Sequence, residues 1–196
     1  MAFLIDQAYL PATLTVEPMT DEQFADFCSE HSDLFFEMTV DGELHVMPPN
    51  NPLSGARNLV LSMHLGLWAR SDGIGIGFDS STGFVLPSGA RRSPDASWLR
   101  KERIPAQNQS NAWHLCPDFV IELRSETDRL KPLREKMTEW IENGAQVAWL
   151  IDPENKTVEI YRQGREVEIV QGNEVRGDGP VKGFVLDLGP IWDPFR

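Results

Sequence analysis

Residues 117–125, PDFVIELRS, have the β-branched and aromatic composition of a central strand, yet a carboxylate, Glu122, stands in their interior. An unpaired carboxylate inside a sheet costs several kcal/mol, so it must be ion-paired, hydrogen-bonded or bound to a cation. With a strand period of two, Asp118, Val120, Glu122 and Arg124 share one face, opposite Phe119, Ile121 and Leu123. Asp118 is expected at the strand start, with its carboxylate near solvent. The plain reading of Glu122 is a salt bridge to Arg124 or another arginine. The sharper reading pairs it with Asp95, which follows Pro94 in RRSPDASWL where a second strand enters the sheet. Two carboxylates on adjacent strands suit a hard divalent cation such as Mg²⁺, or Mn²⁺ in its place, which takes oxygen ligands and keeps several waters.

The rest of the sequence supplies the elements around such a pair. Thr20-Asp21-Glu22-Gln23 has the form of a capping box and opens a short acidic helix over 21–30. FFEMTVDGELHVMPP alternates and turns at Asp41-Gly42, a hairpin signal. From Ser54 to Arg70, Leu59, Val60, Met63, Leu67 and Trp68 recur at three and four, which predicts an amphipathic helix buried through them and ended by Gly73. Short strands are expected near 74–78, 83–86 and 94–99, and a polar loop follows with Pro105 and Gln107, Asn108 and Gln109. Leu130, Leu133, Met137, Trp140 and Ile141 form one stripe of a helix over 129–143, with Gly144 as its stop. QVAWLIDP reads as a buried strand and KTVEIYRQGREVEIVQ as an exposed hairpin. This order predicts one α/β domain around a mixed β-sheet.

Composition narrows the setting. A chain of 196 residues with 41% hydrophobic residues can bury a core without staples, and Cys28 and Cys116 show neither disulfide nor metal-ligand spacing. No signal-peptide pattern or membrane-length apolar run is visible, so a reducing, cytoplasmic setting is expected, with no membrane. The four histidines lack metal-ligand spacing, Gly73, Gly75 and Gly77 form no dinucleotide fingerprint, and the six tryptophans read as core. The net charge is −12, but it is unevenly spread. Ten carboxylates and no Lys or Arg fall in the first fifty residues, whereas Arg91–Lys136 hold ten of the eighteen basic residues against seven acids. The distribution predicts a polarised surface, with a basic face carrying Arg91, Arg92, Arg124 and Lys131 turned away from the acidic segment. Chance clustering on a solvated surface is the alternative.

Lys136 lies at the edge of the 129–143 stripe, about 90° from its centre, and from there it can reach along the sheet toward Glu122. Its bland alternative is a snorkelling surface lysine. SPDASWL, PDFVIELRS and LKPLREKMTEWIENGAQVAWLIDPENKTVEIYR together resemble the Uma-type restriction endonuclease family of the PD-(D/E)XK nuclease superfamily. The resemblance covers about residues 20–190 and is most specific over 117–162. It implies a restriction-endonuclease-like core over 54–152, preceded by the helix and hairpin of 20–48 and extended by hairpins over 156–190. It also implies Mg²⁺-dependent hydrolysis of DNA phosphodiester bonds and a homodimer. On the matching positions, Asp95 is the motif aspartate, Glu122 the motif acid, and Glu37 a recurrent acid of the hairpin before the first core helix. As a plain strand residue, Glu37 is instead an outward-facing acid.

The superfamily pattern places a lysine two residues after the second acid, where this chain has Arg124. An arginine keeps its charge at neutral pH, and its planar fork suits phosphate contact. The resemblance then moves the catalytic lysine to the following helix, as Lys136. Two other classes of function stay open. One is a catalytically silent nucleic-acid- or protein-binding module on the same fold, favoured by Arg124 in the lysine position and by the acidic charge. The other is a metal-dependent hydrolase of a non-nucleic phosphoester.

Overall fold

The helix over 21–30 and the hairpin at Asp41-Gly42 form where the local signals predict them. In the computed structural model, which describes residues 9–104 and 113–196, β1 (Ala12–Thr15) precedes α1 (Asp21–Glu30). The capping box is formed: Thr20 Oγ1 accepts from Gln23 N, and Gln23 Oε1 accepts from Thr20 N. β2 (Phe35–Met38) and β3 (Glu43–Met47) make the hairpin around Asp41-Gly42. Gly42 has φ +83°, and a Cβ there would meet the Val16 carbonyl oxygen at 2.5 Å, so the turn requires glycine. The polar loop around Pro105 and Gln107–Gln109 falls outside the described residues.

α2 (Pro52–Asp72) is capped by Asn51 and ended by left-handed Gly73. Its buried side differs from the expected stripe. Arg57, Asn58, Leu61, Leu65 and Ala69 face the protein; of the expected stripe, Val60 and Trp68 pack partly buried against the core, while Leu59, Met63 and Leu67 are exposed. The helix is apolar nearly all round, so spacing alone defines two candidate ridges, and the sheet beneath selects the one that also carries Asn58.

The remaining strands are β4 (Gly75–Asp79), β5 (Phe84–Val85), β6 (Arg91–Arg92), β7 (Ala96–Arg100), β8 (Trp113–His114) and β9 (Phe119–Leu123). After α3 (Leu130–Glu142) come β10 (Val147–Asp152), β11 (Thr157–Arg162), β12 (Glu168–Gln171), β13 (Glu174–Arg176), β14 (Val185–Asp187) and α4 (Gly189–Trp192). They form two six-stranded sheets rather than one. The first runs β1-β3-β2-β6-β5-β8 and the second β12-β11-β10-β9-β7-β4, with β13 and β14 as a separate pair. In the second sheet β9 and β10 are parallel, joined by α3 as crossover, and its other neighbours are antiparallel. The result is a mixed α/β fold with helices on both faces.

The alternation of β9 divides the core as expected. Phe119, Ile121 and Leu123 join Trp98, Trp149 and Phe184 under α2, whereas Val120 joins Met137, Trp140 and Leu150 under α3. Each large apolar side chain buried this way contributes about 1.5–3 kcal/mol. Asp118 departs from expectation. It is 1% exposed and accepts from Arg103, Gln146 and the Arg100 amide, which fastens the base of β9 to the turns beside it. The hairpin of β11 and β12 departs too, because β11 is buried beside β10 and only β12 forms an exposed edge.

Candidate active site

Asp95 and Glu122 meet where β7 and β9 pair. The register joins Ala96 to Ile121, so the next step along both strands brings Asp95 beside Glu122. Asp95 is held on both oxygens. Its Oδ2 accepts from Leu123 N at 2.7 Å, and its Oδ1 from Asn58 Nδ2 of α2 at 3.0 Å. Glu122 is held from the other helix layer. Its Oε1 lies 2.9 Å from Lys136 Nζ and 2.8 Å from Trp140 Nε1, both on α3. The two helices that cover opposite faces of the sheet therefore converge on one acidic pair.

Glu37 completes the cluster from the other sheet. It is 4% exposed, so the outward-facing reading of this strand acid is replaced by a buried one. Its Oε1 accepts from Lys136 Nζ at 2.9 Å and from Ser93 N at 2.8 Å, and its Oε2 accepts from Arg92 at 3.3 Å. Arg92 also donates to Glu139 at 2.6 Å, one turn beyond Lys136 on α3. Lys136 is thus no snorkelling surface lysine; its side chain is 16% exposed and bridges Glu37 and Glu122.

The electrostatics sort these acids. Burial alone would raise Glu37, but Lys136 and Arg92 outweigh it and hold the carboxyl below its ordinary range. Burial would likewise lower Lys136, and Glu122 with Glu37 outweighs it, so the ammonium is held charged. Asp95 is raised by burial despite its hydrogen bonds. Glu122 is pushed up to about 7, first by burial and then by Asp95 and Glu37, against the pull of Lys136. Four carboxylates (Glu37, Asp95, Glu122, Glu139) stand against two cations (Arg92, Lys136) in this network, and the deficit falls on Asp95 and Glu122. That donor set fits a hard divalent cation, which takes one or two carboxylates and completes its shell with water. No group of three or more His, Cys, Asp or Glu able to hold a metal occurs among the described residues.

Arg124 lies apart. Its guanidinium contacts Asp152 at 3.1 Å, Glu154 at 2.6 Å and the Asp128 carbonyl, so the simple Glu122–Arg124 bridge is not formed. The expected separation of acidic and basic faces is not found either. Arg91 binds Asp21 of α1, Arg92 turns inward to Glu37, and Arg124 pairs with Asp152 and Glu154, so these three arginines of the expected basic face are taken up by carboxylates. Sequence reading missed Asn58, Arg92, Glu139 and Trp140. Signals existed for two of them: Asn58 is a polar residue within an apolar helix, and Trp140 falls one helical turn after Lys136.

No curated protein matches the sequence. Among solved structures, "Crystal structure of a putative nuclease belonging to DUF820 from Anabaena variabilis ATCC 29413" superposes with a TM-score of 0.74. The match covers 89% of this chain and 98% of that one at 21% identity, a likeness of fold. A DrdV–DNA complex gives a TM-score of 0.38 at 15% identity, over 56% of this chain and 9% of that one, too low to bear on the fold. No helix among the described residues is long and apolar enough to cross a membrane. The family model described as "Uma2: Putative restriction endonuclease" matches residues 21–189, nearly the whole chain and every residue of the acidic cluster, and the chain therefore belongs to the Uma2 family.

Proposed function

We propose that this protein is a Mg²⁺-dependent endonuclease hydrolysing DNA phosphodiester bonds, with Asp95 and Glu122 holding the cation. The observation that carries the reading is Lys136 Nζ at 2.9 Å from Glu122 Oε1: a lysine from the crossover helix stands beside the acidic pair, where Arg124 does not. Asp95 and Glu122 would hold the divalent cation, which when bound would supply Lewis-acid polarisation of the phosphodiester and a more acidic water. Lys136, kept protonated by two carboxylates, acts as a fixed positive charge where negative charge builds on the phosphate, not as a base. Glu37, itself held by Arg92, fixes Lys136 in place, while Asn58 and the Leu123 amide fix Asp95. The homodimer implied by the family resemblance and the cytoplasmic setting expected from the sequence pattern belong to the same proposal.

The test is nicking of supercoiled plasmid by purified protein with Mg²⁺ or Mn²⁺. Cleavage that EDTA abolishes and Asp95→Asn removes is the expected result. DNA binding without cleavage in either metal overturns the hydrolase reading and favours a silent binding module. Binding should weaken with salt, with log affinity falling linearly with log salt by about 0.9 per phosphate neutralised.

A further inference from the structure

Three tryptophans, Trp98, Trp140 and Trp149, are fully buried. Among the described residues, the indole N–H groups of Trp98 and Trp149 have no hydrogen-bond partner. Trp140 is the exception, and its partner is Glu122 Oε1 at 2.8 Å. Lys136 and Trp140 are four apart on α3, which stacks them on one face and brings both donors to the same oxygen. No donor among the described residues reaches Glu122 Oε2.

We propose that Trp140 is a positioning residue for Glu122, its indole N–H pinning Oε1 so that Oε2 is presented to the cation shared with Asp95. This rests on the metal-binding reading above. A neutral donor is the right kind of group for the task. An indole N–H donates without accepting and adds no formal charge, so it fixes the direction of the carboxylate while leaving the negative charge that attracts the cation. A second lysine or an arginine in its place would fix the direction and cancel the attraction. Partners of this kind, which orient a ligand without touching the metal, typically contribute 10–100-fold in metal affinity.

The experiment follows the indole proton in ¹H–¹⁵N spectra of the full chain, which has six tryptophans. The signal absent from Trp140→Phe is that of Trp140; if this variant does not fold, nuclear Overhauser contacts to Lys136 assign it in the wild type. Adding Mg²⁺ should move this signal, and Glu122→Gln should abolish the response. In Mn²⁺ titrations, Trp140→Phe should bind about 10–100-fold more weakly, whereas Trp149→Phe, which removes an unpartnered N–H, stays within about twofold of wild type. Wild-type binding that Glu122→Gln removes but Trp140→Phe leaves intact overturns this inference alone, as does an indole signal that ignores saturating Mg²⁺. A wild-type protein that binds no Mn²⁺ overturns the metal reading and this inference with it.

Discussion

Glu122 and Glu159 occupy one cross-strand row, one on each side of Leu150, and both are buried beneath α3. Their chemistry is opposite. Glu159 receives the fork of Arg134, with Nε at 3.1 Å, and the Tyr161 hydroxyl at 2.7 Å. Burial would raise it, but these partners outweigh burial and hold the carboxyl below its ordinary range. Glu122 instead shares Lys136 with Glu37 and stands beside Asp95, and its carboxyl is pushed up to about 7. The same residue type, sheet and covering helix thus give a satisfied structural ion pair on one strand and an unsatisfied acidic pair two strands away. Incomplete compensation, rather than burial, marks the candidate site.

The largest expected effect comes from removing each glutamate's charge. Glu122→Gln should abolish metal-dependent nicking and weaken Mn²⁺ binding. Glu159→Gln should cleave like the wild type and lose about 1–3 kcal/mol of stability in denaturant titration, because the charge opposite Arg134 and one of the two oxygens shared by Arg134 and Tyr161 are lost. Equal loss of cleavage in both variants would break the comparison. The cations come next. Lys136→Met should retain Mn²⁺ and DNA binding but lower the cleavage rate by roughly 10²–10³-fold, the range for one preorganised electrostatic donor, whereas Arg134→Met should change the rate little.

A smaller effect is expected at Arg124. Arg124→Met leaves the buried Asp152 carboxylate without its guanidinium, at a cost of about 1–3 kcal/mol, and should leave the rate unchanged. Loss of cleavage there, with Lys136→Met at the wild-type rate, would show that the arginine keeps the motif lysine's role.

The smallest effect is in the pH dependence of melting. The Glu122 carboxyl titrates near its ordinary 4.5 when unfolded and near 7 when folded, so the folded protein binds the extra proton between those values. This group's contribution to stability therefore falls as pH rises through that window, and Glu122→Gln should gain on wild type from about pH 5 to 7. Glu159 has the reverse sign. Its folded carboxyl titrates below 4.5, so its stabilisation is complete above that value and is lost as pH falls toward the folded pKa. Glu159→Gln should accordingly trail wild type most at neutral pH and least in acid. Matching slopes for the two variants would remove the distinction.

Local structure was legible in the amino-acid order alone. Capping residues, glycine stops and apolar spacing place α1, α2, α3 and the hairpin at Asp41-Gly42, because those signals act within a few residues of each other. A carboxylate inside the β9 run identified Glu122, for the general reason that a charge in a strand interior needs a partner. Tertiary structure decided which partner each charge takes. Lys136 meets Glu37 across 99 positions and Arg92 meets Glu139 across 47, and no periodicity within one element specifies such pairs. The same limit explains the buried Asp118, the inward face of α2 and the pairing of Arg91 and Arg92 with Asp21 and Glu37. Spacing along an element fixes which residues share a face, but only the neighbour that packs there settles whether that face is core, solvent or site.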